Sequence, residues 1–181
     1  MRYIILILMA FSIGGVVSCG SDGDVTPTPT VTQATVETAT DILNRGLQAH
    51  SNGKLDEATT AYHQVLVLDP QNKFAFYNLG LIEYTQGFSV AAESYYRLAL
   101  NTDPDFAPAL YNLGLLRMAD GATQEAIDLL RHNITVDPNN AGAHFNLGTM
   151  LRAAGQQQEG DGEIAKALQL NPNLKTPTPT P

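Results

Sequence analysis

Histidine, cysteine and carboxylate clusters are the usual raw material of catalytic and metal centres, and in this chain they are dispersed. The four histidines are His50, His63, His132 and His144, and no two of them stand at helical metal-ligand spacing. The single cysteine, Cys19, makes neither an internal disulfide nor a cysteine-based zinc cage. Serines and aspartates are plentiful, yet no nucleophile elbow and no phosphate-cradling glycine loop surrounds them. The expectation is a non-enzymatic chain with no catalytic residue, metal or cofactor. The spacing that does stand out belongs to an amide side chain: Asn44, Asn78, Asn112 and Asn146 recur every 34 residues. A carboxamide both donates and accepts hydrogen bonds, so its chemistry is non-covalent recognition.

Charge narrows the partners. The chain has 181 residues, a net charge of −8 and ten Lys and Arg residues, which are scattered. Such a chain repels phosphate backbones, so nucleic acid is not an expected partner. The length suits one domain with tails.

The elements that must position the asparagines share their period. Pro70, Pro104, Pro138 and Pro172 are 34 residues apart, as are Gly46, Gly80, Gly114 and Gly148, and Gly53, Gly87, Gly121 and Gly155. With the asparagines, sixteen positions keep one register, which identifies repeats of two amphipathic helices each. In the second unit Phe76, Tyr77, Leu79, Gly80 and Tyr84 follow helical spacing, Gly87 breaks the helix and Ser89 is expected to cap the next. That helix carries Ala92, Tyr96, Ala99 and Leu100 and stops at Asp103-Pro104, since the residue before a proline is driven out of the α region. Gly80 and Ala92 are expected to let the paired helices approach closely. One pair cannot bury its apolar face alone, so the units must stack.

Residues 1–18 have a different character. Arg2 precedes an apolar run from Tyr3 to Val17, which is the layout of a secretory signal and is shorter than a comfortable bilayer span. Val16-Val17-Ser18-Cys19 resembles the lipobox of bacterial lipoproteins, which implies cleavage before Cys19 and acylation of that residue. The implied location is a bacterial membrane, the outer one where the host has two, with the repeats facing the periplasm or the exterior. Residues 19–38 alternate Thr with Pro and are expected to form a disordered, extended tether, as is the tail 175–181. The sequon Asn133-Ile134-Thr135 lies late in an expected helix and, behind a bacterial export signal, carries no glycosylation expectation.

The repeat residues resemble the tetratricopeptide repeat: a large residue, Leu-Gly, an aromatic, then Ala, an aromatic, Ala and Pro. Phe76, Leu79-Gly80, Ala92, Tyr96, Ala99 and Pro104 carry that pattern in the second unit. The third unit has Asn133 where Ala is usual, and the first has Arg45 in place of Leu. His144 stands at the large apolar position of the fourth unit and is expected to pack. Gly160 replaces a small Ala there and lies in the polar stretch 156–161, so a frayed, polar C-terminal cap is expected. The resemblance implies an all-α fold, an α-solenoid of four helix-turn-helix repeats in a right-handed superhelix, with units at 39–72, 73–106, 107–140 and 141–174.

The same resemblance implies that the first helix of each unit lines a concave groove. Asn44, Tyr77, Asn78, Leu81, Tyr84, Tyr111, Asn112, Leu115, Met118, Phe145 and Asn146 align there as candidate partner-binding residues. Leu81 and Leu115 are equally placed to serve as core between units, and the asparagines to serve a structural role. Relatives that grip a terminal carboxylate use cations, whereas Leu43, Tyr77, Phe74 and Pro108 occupy the candidate positions here, so an apolar helix or an extended segment of another protein is the expected partner. Three functions stay open: an envelope adaptor, a substrate-binding or regulatory subunit for a separate enzyme, and self-association through the fourth unit.

Overall fold

The computed structural model describes residues 37–174. The expected signal, Cys19, most of the expected tether and the C-terminal tail therefore lie outside the described residues. Among them, eight helices follow one another and no strand occurs: α1 (Ala39–Ser51), α2 (Leu55–Leu68), α3 (Lys73–Thr85), α4 (Ser89–Thr102), α5 (Ala107–Ala119), α6 (Thr123–Val136), α7 (Ala141–Ala153) and α8 (Gln157–Leu170). Each odd-numbered helix packs on its successor, and α2, α4 and α6 each pack on the first helix of the next pair. The fold is a solenoid with its core spread along the stack.

Glycine makes the turn inside each pair. Gly53, Gly87, Gly121 and Gly155 have φ of 74°, 86°, 75° and 84°, in the left-handed region where a side chain is strained. The second helices end on Asp69, Asp103, Asp137 and Asn171, each immediately before one of the periodic prolines. Helix starts are less uniform. Thr38 caps α1 in a reciprocal box with Asp41, and Asn72 and Asn140 cap α3 and α7 by accepting from the backbone N–H three residues on. Ser89 does not cap α4: it is the first helical residue, and the cap position holds Phe88, whose side chain makes no hydrogen bond.

Close approach within pairs rests on the other glycine series. A Cβ on Gly80 would stand 2.6 Å from the ring of the fully buried Tyr96, and one on Gly46 would stand 2.7 Å from Tyr62. In the fourth pair both partners are glycines, and the contact is with backbone instead of a ring. A Cβ on Gly160 would meet the carbonyl oxygen of Gly148 at 2.6 Å, and one on Gly148 would meet that of Gly160 at 2.7 Å. The expected fraying at this place does not occur. The stretch from Gln157 is regular helix, and Gly160 is buried at the crossing of α7 and α8, where the lost propensity is offset by packing that alanine would block.

Apolar side chains fill the spaces between pairs. Ile42, Ala58, Ala61, Tyr62 and Val65 of the first pair meet Ala75, Leu79 and Ile82 of α3. Ala92 and Tyr96 meet Leu113 and Leu116, and Ala126, Ile127 and Leu130 meet Ala143, Leu147 and Leu151.

Candidate partner-binding groove

The first helices present the candidate residues in a repeating register, and their burial differs sharply. Asn44 is exposed, Tyr84 is 49% exposed, and Tyr77, Leu81, Tyr111, Asn112, Leu115, Met118, Phe145 and Asn146 are half-buried. Asn78 is buried, at 8%. Leu81 and Tyr77 also lean on the core between the second and third pairs, and Tyr111 and Met118 on the core between the third and fourth. The stripe is therefore both a surface and the outer edge of the core.

The asparagines have specific partners. Asn112 Nδ2 donates to the phenolic oxygen of Tyr77 at 3.0 Å, and Asn146 Nδ2 donates to that of Tyr111 at 3.2 Å. Each bond joins one first helix to the next. Burial raises both phenol pKa values, and the amide hydrogen bond opposes the shift in each case. Asn78 has no tyrosine before it, since Leu43 stands one period ahead of Tyr77. Its Nδ2 instead donates to Phe74 O of its own helix at 2.8 Å. Two of the four amides thus bind neighbouring repeats, one binds its own backbone, and Asn44 faces solvent.

Between these helices opens a notch of about 410 Å³, lined by Tyr77, Pro108, Tyr111 and Asn112 together with Ala107, Asp137 and Asn140. Sequence reasoning did not select Gly142, which leaves room for a hydroxyl that lines the notch: a Cβ there would stand 2.6 Å from the Tyr111 hydroxyl. Its signal was positional, since residue 142 is one period after Pro108 and two after Phe74. Aromatic residues close the groove's edge at the second and third units. Phe106 takes the place held by the capping asparagines, giving up that hydrogen bond to pack edge-on against Phe74 and Tyr77, with ring centroids 5.5 and 5.4 Å apart. Lys73 Nζ lies 5.2 and 5.1 Å from the Phe74 and Phe106 ring centroids while paired with Asp103.

The remaining residues with chemical potential are engaged structurally. His144 is buried, with Nδ1 2.5 Å from Glu163 Oε2 and Nε2 3.0 Å from Pro138 O. Asn133 is fully buried; its Nδ2 donates to Ala107 O at 2.7 Å and its Oδ1 accepts from Asn140 at 3.0 Å, so its sequon amide is enclosed in the folded domain. Among the described residues no group of His, Cys, Asp or Glu side chains is arranged to hold a metal. No described helix is long and apolar enough to cross a membrane.

Comparison with known proteins agrees with this architecture. A family described as TPR repeat matches residues 46–87, and one described as Tetratricopeptide repeat matches residues 109–142. No curated protein matches the chain in sequence. Among solved structures, one described as the crystal structure of MamA superposes with a TM-score of 0.66 at 24% identity, covering 75% of this chain and 80% of the other. A second, MamA from residue 41 to its end from Desulfovibrio magneticus RS-1, gives 0.62 at 21% identity over 77% and 79% of the two chains. The described residues of this chain form an α-solenoid of the tetratricopeptide-repeat type.

Proposed function

We propose that the chain is a non-enzymatic interaction scaffold that receives a segment of another protein along its first helices, while lipid on Cys19 holds it at a bacterial membrane. The observation that carries the binding reading is the row of partly exposed aromatic side chains Tyr77, Tyr84, Tyr111 and Phe145 on three consecutive first helices, beside an open notch. Aromatic rings offer large contact area at low entropic cost, and an apolar segment gains most from covering them. The lipid anchor is supported by the lipobox-like residues alone.

Photo-crosslinking in cells tests the groove. Probes belong at Tyr84 and Met118, which occupy one register in successive repeats, with a control at the exposed Asp128 of α6. Tyr111 is a poor site because its hydroxyl holds Asn146. A shared adduct at the first two sites and none at Asp128 is expected. Identical capture at all three positions overturns the groove. For the anchor, Cys19→Ser is expected to move the protein from the membrane fraction to the soluble one, and retention overturns it.

A further inference from the structure

Two hydrogen-bonding ladders join equivalent positions of successive repeats, and both stop short of the first. On the groove side, Tyr77–Asn112 crosses from the second repeat to the third, and Tyr111–Asn146 from the third to the fourth. On the second helices, Arg97 pairs with Glu125 at 2.5 Å and Arg131 with Glu159 at 2.7 Å, across the same two junctions. One period earlier, the corresponding residues are Leu43, Asn78, His63 and Ala91. Leu43 has no hydroxyl, Ala91 has no carboxylate, and Asn78 is turned to its own helix.

Further polar links reinforce the same asymmetry. Arg117 of α5 reaches Glu93 of α4 at 2.5 Å, and the Asn140–Asn133–Ala107 chain ties α7 to α6 and α5. Among the described residues, the one side-chain hydrogen bond at the first junction lies in the connecting turn, from Asn72 Nδ2 to Asp69 Oδ2 at 2.9 Å, and no ion pair or side-chain hydrogen bond joins the bodies of α1 or α2 to those of α3 or α4. Away from that turn the helices are held by apolar contact, Tyr62 and Val65 among the residues facing Ala75, Leu79 and Ile82. Apolar contact is non-directional and tolerates sliding, whereas a hydrogen bond fixes distance and angle. Position at an end of the stack does not explain the difference, since the fourth repeat is also terminal among the described residues and keeps both ladders.

We propose that repeats two to four form one stiff body on which the first repeat (39–72) tilts and slides, so that the junction between them sets the width of the groove from Asn44 to Tyr84. The link to partner binding rests on the function proposed above, but the motion is a property of the free chain and is measured without a partner.

Distance measurements between nitroxide labels test it in the full chain carrying Cys19→Ser. Val67, Asn101, Thr135 and Gln169 are exposed and occupy one register on the four second helices. Val67→Cys with Thr135→Cys spans the first and second junctions, and Asn101→Cys with Gln169→Cys spans the second and third. The distance distribution of the first pair is expected to be roughly twofold broader, as for shear at one unpinned helix contact. Adding His63→Arg and Ala91→Glu, which supplies the missing clasp, is expected to narrow the first pair to the width of the second. Equal widths before the clasp is added overturn the proposal, as does a first-pair distribution that stays broad after it.

Discussion

Asn112 Nδ2 lies 3.0 Å from the hydroxyl oxygen of Tyr77, a residue 35 positions earlier, and this bond pins two neighbouring first helices side by side. It gives one asparagine of a periodic set a role that its equivalents do not all share. Asn112→Ala and Asn146→Ala each lose an inter-repeat bond between half-buried groups and are expected to lower stability by about 0.5–1.5 kcal/mol. Asn44→Ala removes an exposed amide and is expected to change it by less than about 0.5 kcal/mol. Urea unfolding of the three variants checks the order; equal losses at all three positions would show that the amides act locally. A cycle combining Tyr77→Phe with Asn112→Ala isolates the pair itself.

Asn133 runs against the usual small residue at its position. It is fully buried, and its amide holds both Ala107 O and the Asn140 that caps α7. Replacing it with the common alanine removes the second bond to Ala107 O and the acceptor that orients Asn140. The expected cost is about 1–3 kcal/mol, a fall in Tm of several degrees by calorimetry. A variant as stable as the parent would show that water replaces the amide without loss.

The helical pairs were legible because their signals are local or strictly periodic: proline after each second helix, glycine at each turn, small residues at each crossing. The groove was legible only as a stripe. Whether an asparagine on it binds the preceding repeat depends on the residue one period before its neighbour, Tyr77 for Asn112 but Leu43 for Asn78, and a list of aligned asparagines does not contain that relation. Phe106 was missed for a similar reason. Its value lies in rings that reach it from α3, while its own position reads locally as a helix cap that lacks a capping side chain. Gly160 was misread from propensity, which counts its cost to one helix and not the approach of a second.

The two helical glycines of α8 separate those effects. Gly160 faces the Gly148 carbonyl at a Cβ distance of 2.6 Å, whereas a Cβ on Gly162 meets nothing within 4 Å, and φ at Gly162 is not positive. Gly160→Ala is expected to destabilise by about 1–3 kcal/mol through overpacking against backbone that has no rotamer to yield. Gly162→Ala is expected to stabilise by up to about 1 kcal/mol through helix propensity. Thermal unfolding of both reads opposite signs from one helix, and a gain at Gly160 would refute the close crossing.

Tyr62 and Tyr96 couple the core to alkaline pH. Their rings fill the spaces left by Gly46 and Gly80, and both hydroxyls are buried without a hydrogen-bond partner. Burial pushes the Tyr62 phenol up to about 12, and drives Tyr96 upward as well, with the neighbouring Tyr77 and Tyr84 adding to it. The unfolded chain loses these protons near pH 10. A folded-state pKa above the unfolded value means that the folded protein holds the proton longer. Its contribution to stability is complete below about pH 10 and is lost as pH rises toward 12. Tyr96→Phe removes an unpaired hydroxyl while keeping the ring, so at neutral pH it is expected to leave Tm unchanged or raise it by a few degrees. The double variant Tyr62→Phe/Tyr96→Phe is expected to flatten the alkaline limb of stability between pH 10 and 12. A drop in Tm at neutral pH would mean that these hydroxyls find a partner in solution, and an alkaline limb unchanged in the double variant would assign it to Tyr77, Tyr95 and Tyr111, whose phenols burial also raises.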